Sequence, residues 1–404
     1  MIHPFDAYLP HPETAKRLVA ASYDSLTEDR PPADEGPLGF LDVIRWEVDR
    51  APHNEAYRRN LLAAAAVRLR DLLAGDDFVH RRGPAFLVCR LHQGGHTQTG
   101  VIADVSLAAY DDGRIKVHES TRTDQEDRLV EYLDEVGATF LPLFLIHREE
   151  PAVATLVADV AERPPDLECT TGDGLTQTVW VVDDPREVAR FTAALDRIPG
   201  MYIADGHHRA ASAARHARAR ATGGGAEGAR DRVVAVLFPA DELRVHEYNR
   251  WAELPPDLAP DDLVARLGER FRVAPADGRG TPRAAGEVGV LVDGRWYRLH
   301  APLELRRRPL PDSLDVAILH DEVLGPLLGV TDASTDSRLG FVPGTLGAGE
   351  VERLCAGRHR AGFLLYPTAV ADLLAVSDRG ALMPPKSTWF APKLRSGLVI
   401  RVLD

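Results

Sequence analysis

The stretch Met201–Ala214, MYIADGHHRAASAA, decides the fold. Its apolar start, Met201 to Ala204, predicts a short buried strand. Asp205 and Gly206 break that pattern, and His207, His208 and Arg209 open an Ala-rich helix running to about Ala221. Strand, glycine turn, helix: this order aims backbone N–H groups and the positive helix end at one point, which favours an anion. Asp205 adds a carboxylate, the histidines titrate near neutral pH, and Arg209 brings a planar fork that matches phosphate. A plainer reading makes Asp205 a helix N-cap and leaves the histidines on the surface of a first turn. A phosphate or nucleotide site accounts for more of these residues.

Working outward, strands and helices alternate on both sides. Upstream, helices are predicted over Ala56–Ala74, Asp124–Val136, Ala152–Ala161 and Pro185–Ile198. Strands are predicted over Leu38–Ile44, Phe86–Leu91, Gly100–Ala109, Thr139–Ile146 and Thr176–Val182. The polar HQGGHTQT segment between the second and third of these strands reads as a loop. His92 and His96 stand four apart in it, but Gly94 and Gly95 argue against a shared helix face and so against a metal pair. Pro142 places its strand near an edge or a bulge. Thr123 as N-cap, with Glu126 three residues on, makes a capping box. That leaves His118 and Glu119 unexplained by structure alone.

Downstream, Arg232–Phe238 and Leu243–Trp251 are further strands. From Pro255 a second lobe is expected. It carries helices at Pro260–Phe271 and Leu314–Leu328 and a hairpin across Asp293-Gly294, with Asp315, His320 and Asp321 as its only candidate chemistry. The last segment offers Lys386, Ser387 and Thr388 as consecutive donors for phosphate, without a full Walker A pattern. The fold class is therefore α/β (α+β) with mixed sheets. A core lobe spans 1–250, a second α/β lobe 251–375, and a C-terminal segment 376–404 returns Lys386–Thr388 to the core.

A chain of 404 residues exceeds one ordinary core, which agrees with two lobes. A net charge of −13 argues against nucleic acid or anionic membranes as partners, so the basic residues near the central motif suit a small anion. Cys89, Cys169 and Cys355 are too far apart for a zinc or disulfide framework. With no secretory segment or spanning apolar run, a cytoplasmic protein is expected.

The chain also resembles a widespread bacterial and archaeal family built on a domain of unknown function. The resemblance rests on ADGHHR (Ala204–Arg209), Tyr23-Asp24, FLDVIRWE (Phe40–Glu47), KVHESTRTDQEDRL (Lys116–Leu129) and KSTWFAPKLRSGLVI (Lys386–Ile400). Small departures occur: the familiar PPYDV reads ASYDS here, and MPQKSTYFYPKL reads MPPKSTWFAPKL. The DGHHR element is similar to that of archaeal free-serine kinases, which implies a ParB/sulfiredoxin-like phosphotransferase core. In those kinases the segment lines the nucleotide-phosphate site and an acidic residue is the base.

The expected activity is thus a kinase using ATP or ADP with Mg²⁺ on a small hydroxyl-bearing amino acid such as serine. Phosphoryl transfer asks a protein mainly for charge stabilisation and positioning. The N–H groups of Gly206 to His208, with Arg209, Lys386, Ser387 and Thr388, would hold phosphates. Asp205 would hold Mg²⁺ or a substrate amine, and His207 or His208 would balance charge on the transferred group. Glu119 first, and Asp24 second, would accept the hydroxyl proton. Tyr23, Arg45, Glu47 and His118 are the candidates for holding the acceptor. A nucleotide and a small-molecule substrate are the expected partners, with a homodimer left open. Two alternatives stand beside this reading. One is a metal-dependent phosphatase or hydrolase using Asp205, His207 and His208; the other is a nucleotide-binding switch without chemistry.

Overall fold

A computed structural model of the protein describes residues 1–19, 40, 43–44, 55–220 and 228–403. Tyr23, Asp24, Arg45 and Glu47 lie outside the described residues. The chain divides into two compact units. The first takes Met1–Lys116, Thr121–Leu243 and Pro392–Asp404; the second takes Val117–Ser120 and Arg244–Ala391. Lys386–Thr388 therefore belongs to the second unit, whereas the chain after Ala391 belongs to the first.

The strands of the first unit before its C-terminal segment are β1 (Ile2–His3), β2 (Phe5–Pro10), β3 (Phe78–Gln93), β4 (His96–Ser106), β5 (Ile115–Lys116), β6 (Ala138–Thr139), β7 (Leu143–His147), β8 (Leu167–Thr170), β9 (Thr176–Val182), β10 (Met201–Asp205) and β11 (Arg232–Pro239). The main sheet runs β5-β10-β7-β11-β4-β3-β9-β8, with β1 on β4 and β2 on β3. It is mixed: β5/β10 and β7/β11 are parallel, while β10/β7, β11/β4 and β3/β4 are antiparallel. All five residues of β7, LFLIH, are buried. Such an unbroken apolar run marks a strand covered on both faces, and helices supply the cover. These include Glu55–Ala74, Thr123–Val136, Pro151–Ala161, Pro185–Leu195 and His207–Arg220. Asp184 caps the fourth, its carboxylate accepting the Arg186 and Glu187 N–H groups at 2.9 and 3.1 Å.

Four local expectations are corrected. Val43 and Ile44 are helical rather than part of a strand, with the Val43 N–H donating to the Phe40 carbonyl at 3.0 Å. The HQGGHTQT segment is mostly ladder, because Gly94 (φ 57°) and Gly95 (φ 77°) close a two-residue hairpin and Gln93 pairs His96. Two successive positive φ angles give the turn whose twist matches paired strands. The Thr139–Ile146 run breaks at Pro142 into β6 and β7, and β7 lies inside the sheet rather than at its edge. Finally, Arg122, not Thr123, occupies the N-cap position of its helix. Glu126 accepts from the Thr121 hydroxyl at 2.5 Å instead of closing a capping box.

The C-terminal segment completes this unit. Ile400 exchanges backbone hydrogen bonds with Tyr8 of β2, and β12 (Arg401–Val402) pairs β6. Arg401 forms a fork on Asp104 of β4, Nε to Oδ1 and Nη2 to Oδ2 both at 2.7 Å, with each side chain under 5% exposed. Cys89 is fully buried and its thiol is pushed up to about 12 by loss of hydration, so it is an inert core residue. All three cysteines are buried and free. Among the described residues no helix is long and apolar enough to cross a membrane.

The second unit is built on a six-stranded antiparallel sheet. Its order is Arg272–Pro275, Arg295–His300, Glu287–Val292, Arg360–Leu364, Tyr248–Glu253, Leu339–Pro343. The expected hairpin across Asp293-Gly294 is present. The expected helix at Leu314–Leu328 is composite: α over Asp315–Leu319, π over His320–Leu324, then α over Gly325–Leu328. Asp315 accepts the Gly286 N–H with both oxygens, at 2.8 and 3.0 Å.

Burial pushes the Asp315 carboxyl up to about 6, against 3.8 in its ordinary state. A carboxyl raised on folding gives its full contribution to stability below pH 3.8 and loses it as pH rises through about 6. Asp315→Asn should therefore leave stability unchanged near pH 4 and raise it at pH 7, by an amount on the order of 2 kcal/mol. Denaturant melts at both pH values check this; equal effects at the two would refute it.

Candidate functional site

The first unit brings together the central motif and one residue from the far end of the chain. β10 ends on Asp205; Gly206 follows at φ 100°, and the helix begins at His207. Arg209 folds back over this turn and donates from Nη2 to Asp205 Oδ2 at 2.6 Å. The positive φ favours glycine, and a Cβ on Gly206 would lie 2.8 Å from the Arg209 guanidinium and push it from its place on Asp205. On the other side, Lys393 Nζ donates to Asp205 Oδ1 at 2.7 Å. One carboxylate thus anchors two cations at the start of a 14-residue helix. Lys393 is 12% exposed, Arg209 20% and Asp205 29%, so the cluster is shielded without being sealed.

Lys393 is delivered by the residues around it. The Gln98 amide donates to the Pro392 carbonyl at 3.2 Å, and the Arg395 N–H donates to Gln177 Oε1 at 2.9 Å. The Arg395 guanidinium pairs with Asp173. The sequence reading did not single out Lys393 as a site residue, although it lies inside the KSTWFAPKLRSGLVI segment quoted for the resemblance. Nothing local marks it, because its partner stands 188 residues away.

The two histidines differ. His207 is buried at 5% exposure. His208 accepts the Arg122 N–H on Nε2 at 3.0 Å, so that nitrogen carries no proton in this arrangement. The Ser212 hydroxyl lies 2.6 Å from the His208 carbonyl and 3.3 Å from that of Glu126. Glu126 takes Arg215 Nη1 on Oε2 at 2.9 Å. The Thr121 hydroxyl first, and Arg215 after it, hold the Glu126 carboxyl below the usual carboxylate range. The starts of the Thr123–Val136 and His207–Arg220 helices are thereby stitched together.

Both oxygens of Asp205, the expected Mg²⁺ ligand, carry a cation here, so Asp205 serves as the counter-ion of Arg209 and Lys393. Gly206→Ala is expected to destabilise by about 1–3 kcal/mol and to displace the Arg209 fork. Thermal melts, with the Arg209 Nε resonance as local reporter, test it; a melt within a degree of wild type would contradict the packing described.

The second unit holds the remaining described candidates. His118 is buried at 3% exposure, and its carbonyl accepts the Met383 N–H at 2.8 Å; Glu119 beside it is half-buried. The Lys386–Thr388 turn is rigidly built, with Lys386 at φ 57°. The Ser387 hydroxyl donates to the Pro384 carbonyl at 2.5 Å, and the Ser387 carbonyl accepts from the Thr368 hydroxyl at 3.0 Å. Arg250 lies under the turn, Nη2 donating to the Pro385 and Lys386 carbonyls at 2.8 and 3.4 Å. Burial pulls Arg250 down to about 9, which keeps it charged at neutral pH. The Ser387 hydroxyl is thus engaged within the turn itself.

The family model described as a protein of unknown function (DUF1015) matches residues 2–317, and the chain belongs to that family. No curated protein matches the sequence. Several solved structures are similar at low identity. One is a point mutant of free serine kinase in complex with AMP, 14% identical, covering 73% of this chain and 92% of that one, with a TM-score of 0.36. Another is a different point mutant of free serine kinase in complex with ADP, 15% identical over the same shares, also at 0.36. A third is SbnI with a C-terminal truncation from Staphylococcus aureus, 10% identical, covering 73% of this chain and 85% of that one, at 0.40.

Proposed function

We propose that the protein is a nucleotide-dependent phosphotransferase that moves a phosphoryl group from ATP or ADP to the hydroxyl of a small amino acid of the serine kind. The observation that carries this reading is the pair of cations, Arg209 and Lys393, held on Asp205 at a helix start. Two cations and a first helical turn of N–H groups exceed what one carboxylate neutralises, so the point stays positive and suits phosphate. In the reaction the acceptor oxygen bonds to phosphorus, the bridging P–O bond to the nucleotide breaks, and the hydroxyl proton passes to a carboxylate. Glu119, then Asp24, are the candidates for that base. Arg209 and Lys393 stay with the charge on the phosphoryl oxygens as the bond breaks. Mg²⁺, when bound to the nucleotide, would neutralise further phosphate charge. Tyr23, Arg45, Glu47 and His118 are proposed for the acceptor.

The test is to incubate the protein with MgCl₂, ATP or ADP, and a pool of serine, threonine and homoserine, and to look by mass spectrometry for a gain of one phosphate. A phosphorylated amino acid, lost in Glu119→Gln, supports the reading. Inorganic phosphate alone would replace it with a hydrolase, and thermal protection by nucleotide without any product would replace it with a switch.

A further inference from the structure

The first unit contains a cleft of about 270 Å³ that the proposed chemistry does not use. Its volume lies near the small end of small-molecule sites, about 300 Å³. The helix Pro151–Ala161 forms one wall through Val153 and Val157, and Leu237 of β11 forms part of the other. It lies at the opposite end of β7 from the Asp205 cluster: Asp205 pairs Phe144 near the start of that strand, whereas the cleft is lined by His147 at its end.

His147 is 3% exposed. Its Nδ1 lies 2.8 Å from the Arg148 carbonyl, and because a carbonyl can only accept, Nδ1 carries the ring proton. Burial pulls this imidazole below its ordinary range and keeps it neutral, so Nε2 is a bare lone pair. That nitrogen has no partner among the described residues. The cleft is lined by the carboxylates of Glu149, Glu150, Asp241 and Glu242 and by one guanidinium, Arg90; Glu150 caps its helix through the Ala152 N–H at 3.3 Å and lies 3.7 Å from Arg197. Arg90 is stacked on Trp180, 5.1 Å from the ring centroid. Asp241 and Glu150 are close enough to act electrostatically on His147. Glu242 is fixed by the Thr99 N–H on Oε2 at 2.5 Å.

This donor set selects a ligand class. Four carboxylates repel an anion. No three of His147, Glu150, Asp241 and Glu242 bring ligating atoms within 4.8 Å of one another, which is too spread for a compact metal shell. A neutral lone-pair acceptor beside carboxylates, with aliphatic walls, fits a cation that brings its own N–H donors and an apolar body. We propose that this cleft binds a small organic ammonium ion, a primary amine or diamine. Its ammonium group donates to His147 Nε2 and the Asp241 carboxylate, and its alkyl chain lies on Val153, Val157 and Leu237.

Titration of the full-length protein with 1,4-diaminobutane tests this, read by calorimetry and by the ¹⁵N shift of the His147 ring, with 1-butanol and ZnCl₂ in parallel. Saturable binding of the diamine that moves the His147 resonance is expected, with 1-butanol inert. Asp241→Asn, an exposed substitution that leaves the core intact, should weaken the diamine about tenfold. No saturation, equal binding of 1-butanol, equal affinity in Asp241→Asn, or Zn²⁺ saturating the His147 nitrogen in place of the diamine would each overturn the proposal. None of these readouts depends on phosphoryl transfer, so the two proposals fail separately.

Discussion

Replacing Arg401 by Met is expected to remove about 3–5 kcal/mol of stability. Arg401 and Asp104 are both nearly inaccessible, and their fork places the guanidinium flat against both carboxylate oxygens. A pair taken this far out of water gains little net stability over well-packed apolar residues. Deleting one member is different, because Asp104 is then left out of water without its hydrogen-bonded partner, with only the charge of Arg232 nearby. Asp104 sits on β4, whose register with β11 and β3 sets the middle of the main sheet, so the penalty falls on the core. Against a typical total of about 5–15 kcal/mol, such a loss should be plain in a denaturant midpoint. The double change Arg401→Met with Asp104→Leu should recover most of it, which separates the orphaned charge from lost packing. A single variant that loses under about 1 kcal/mol would show that Asp104 finds another partner or is hydrated.

Lys393→Met is expected to lower phosphoryl transfer by about 10²–10³-fold while the protein stays folded. Lys393 is one of two cations on Asp205, and the residues before and after it are fixed independently through Gln98 and Gln177. The segment should keep its path without the ammonium. Under the proposed function, what is lost is a positive charge placed where negative charge shifts during P–O cleavage. Thermal protection by ATP or ADP gives a second readout that does not require turnover, and it should weaken in the same variant. Lys393→Arg restores charge but not the compact ammonium, so partial recovery is the expected pattern. Wild-type turnover and protection in Lys393→Met would remove the central observation behind the proposed function.

The positive end of the helix at His207 was legible because a strand, a glycine turn and an Ala-rich helix are local patterns. So were the hairpin at Asp293-Gly294, the strand Thr176–Val182 and the helix Pro260–Arg270, each announced by periodicity or by turn residues. Errors fell where local signals compete. Gly94-Gly95 signals a loop and a tight hairpin equally well, and only the pairing of the flanking strands selects the second. Thr123 and Glu126 have capping-box spacing, yet Thr121 and Arg215 take the Glu126 carboxylate.

By itself, then, the sequence determined the alternation of elements, the mixed α/β class and the DGHHR turn, since these depend on neighbours within a few residues. Only the tertiary structure decided that Asp205 pairs with Arg209, that Lys393 is its second partner, and that Arg401 closes on Asp104. The last two outcomes rest on charges that meet across 188 and 297 residues. An ion pair has no periodicity in sequence; it is fixed by where the packed sheet brings two side chains out of water together.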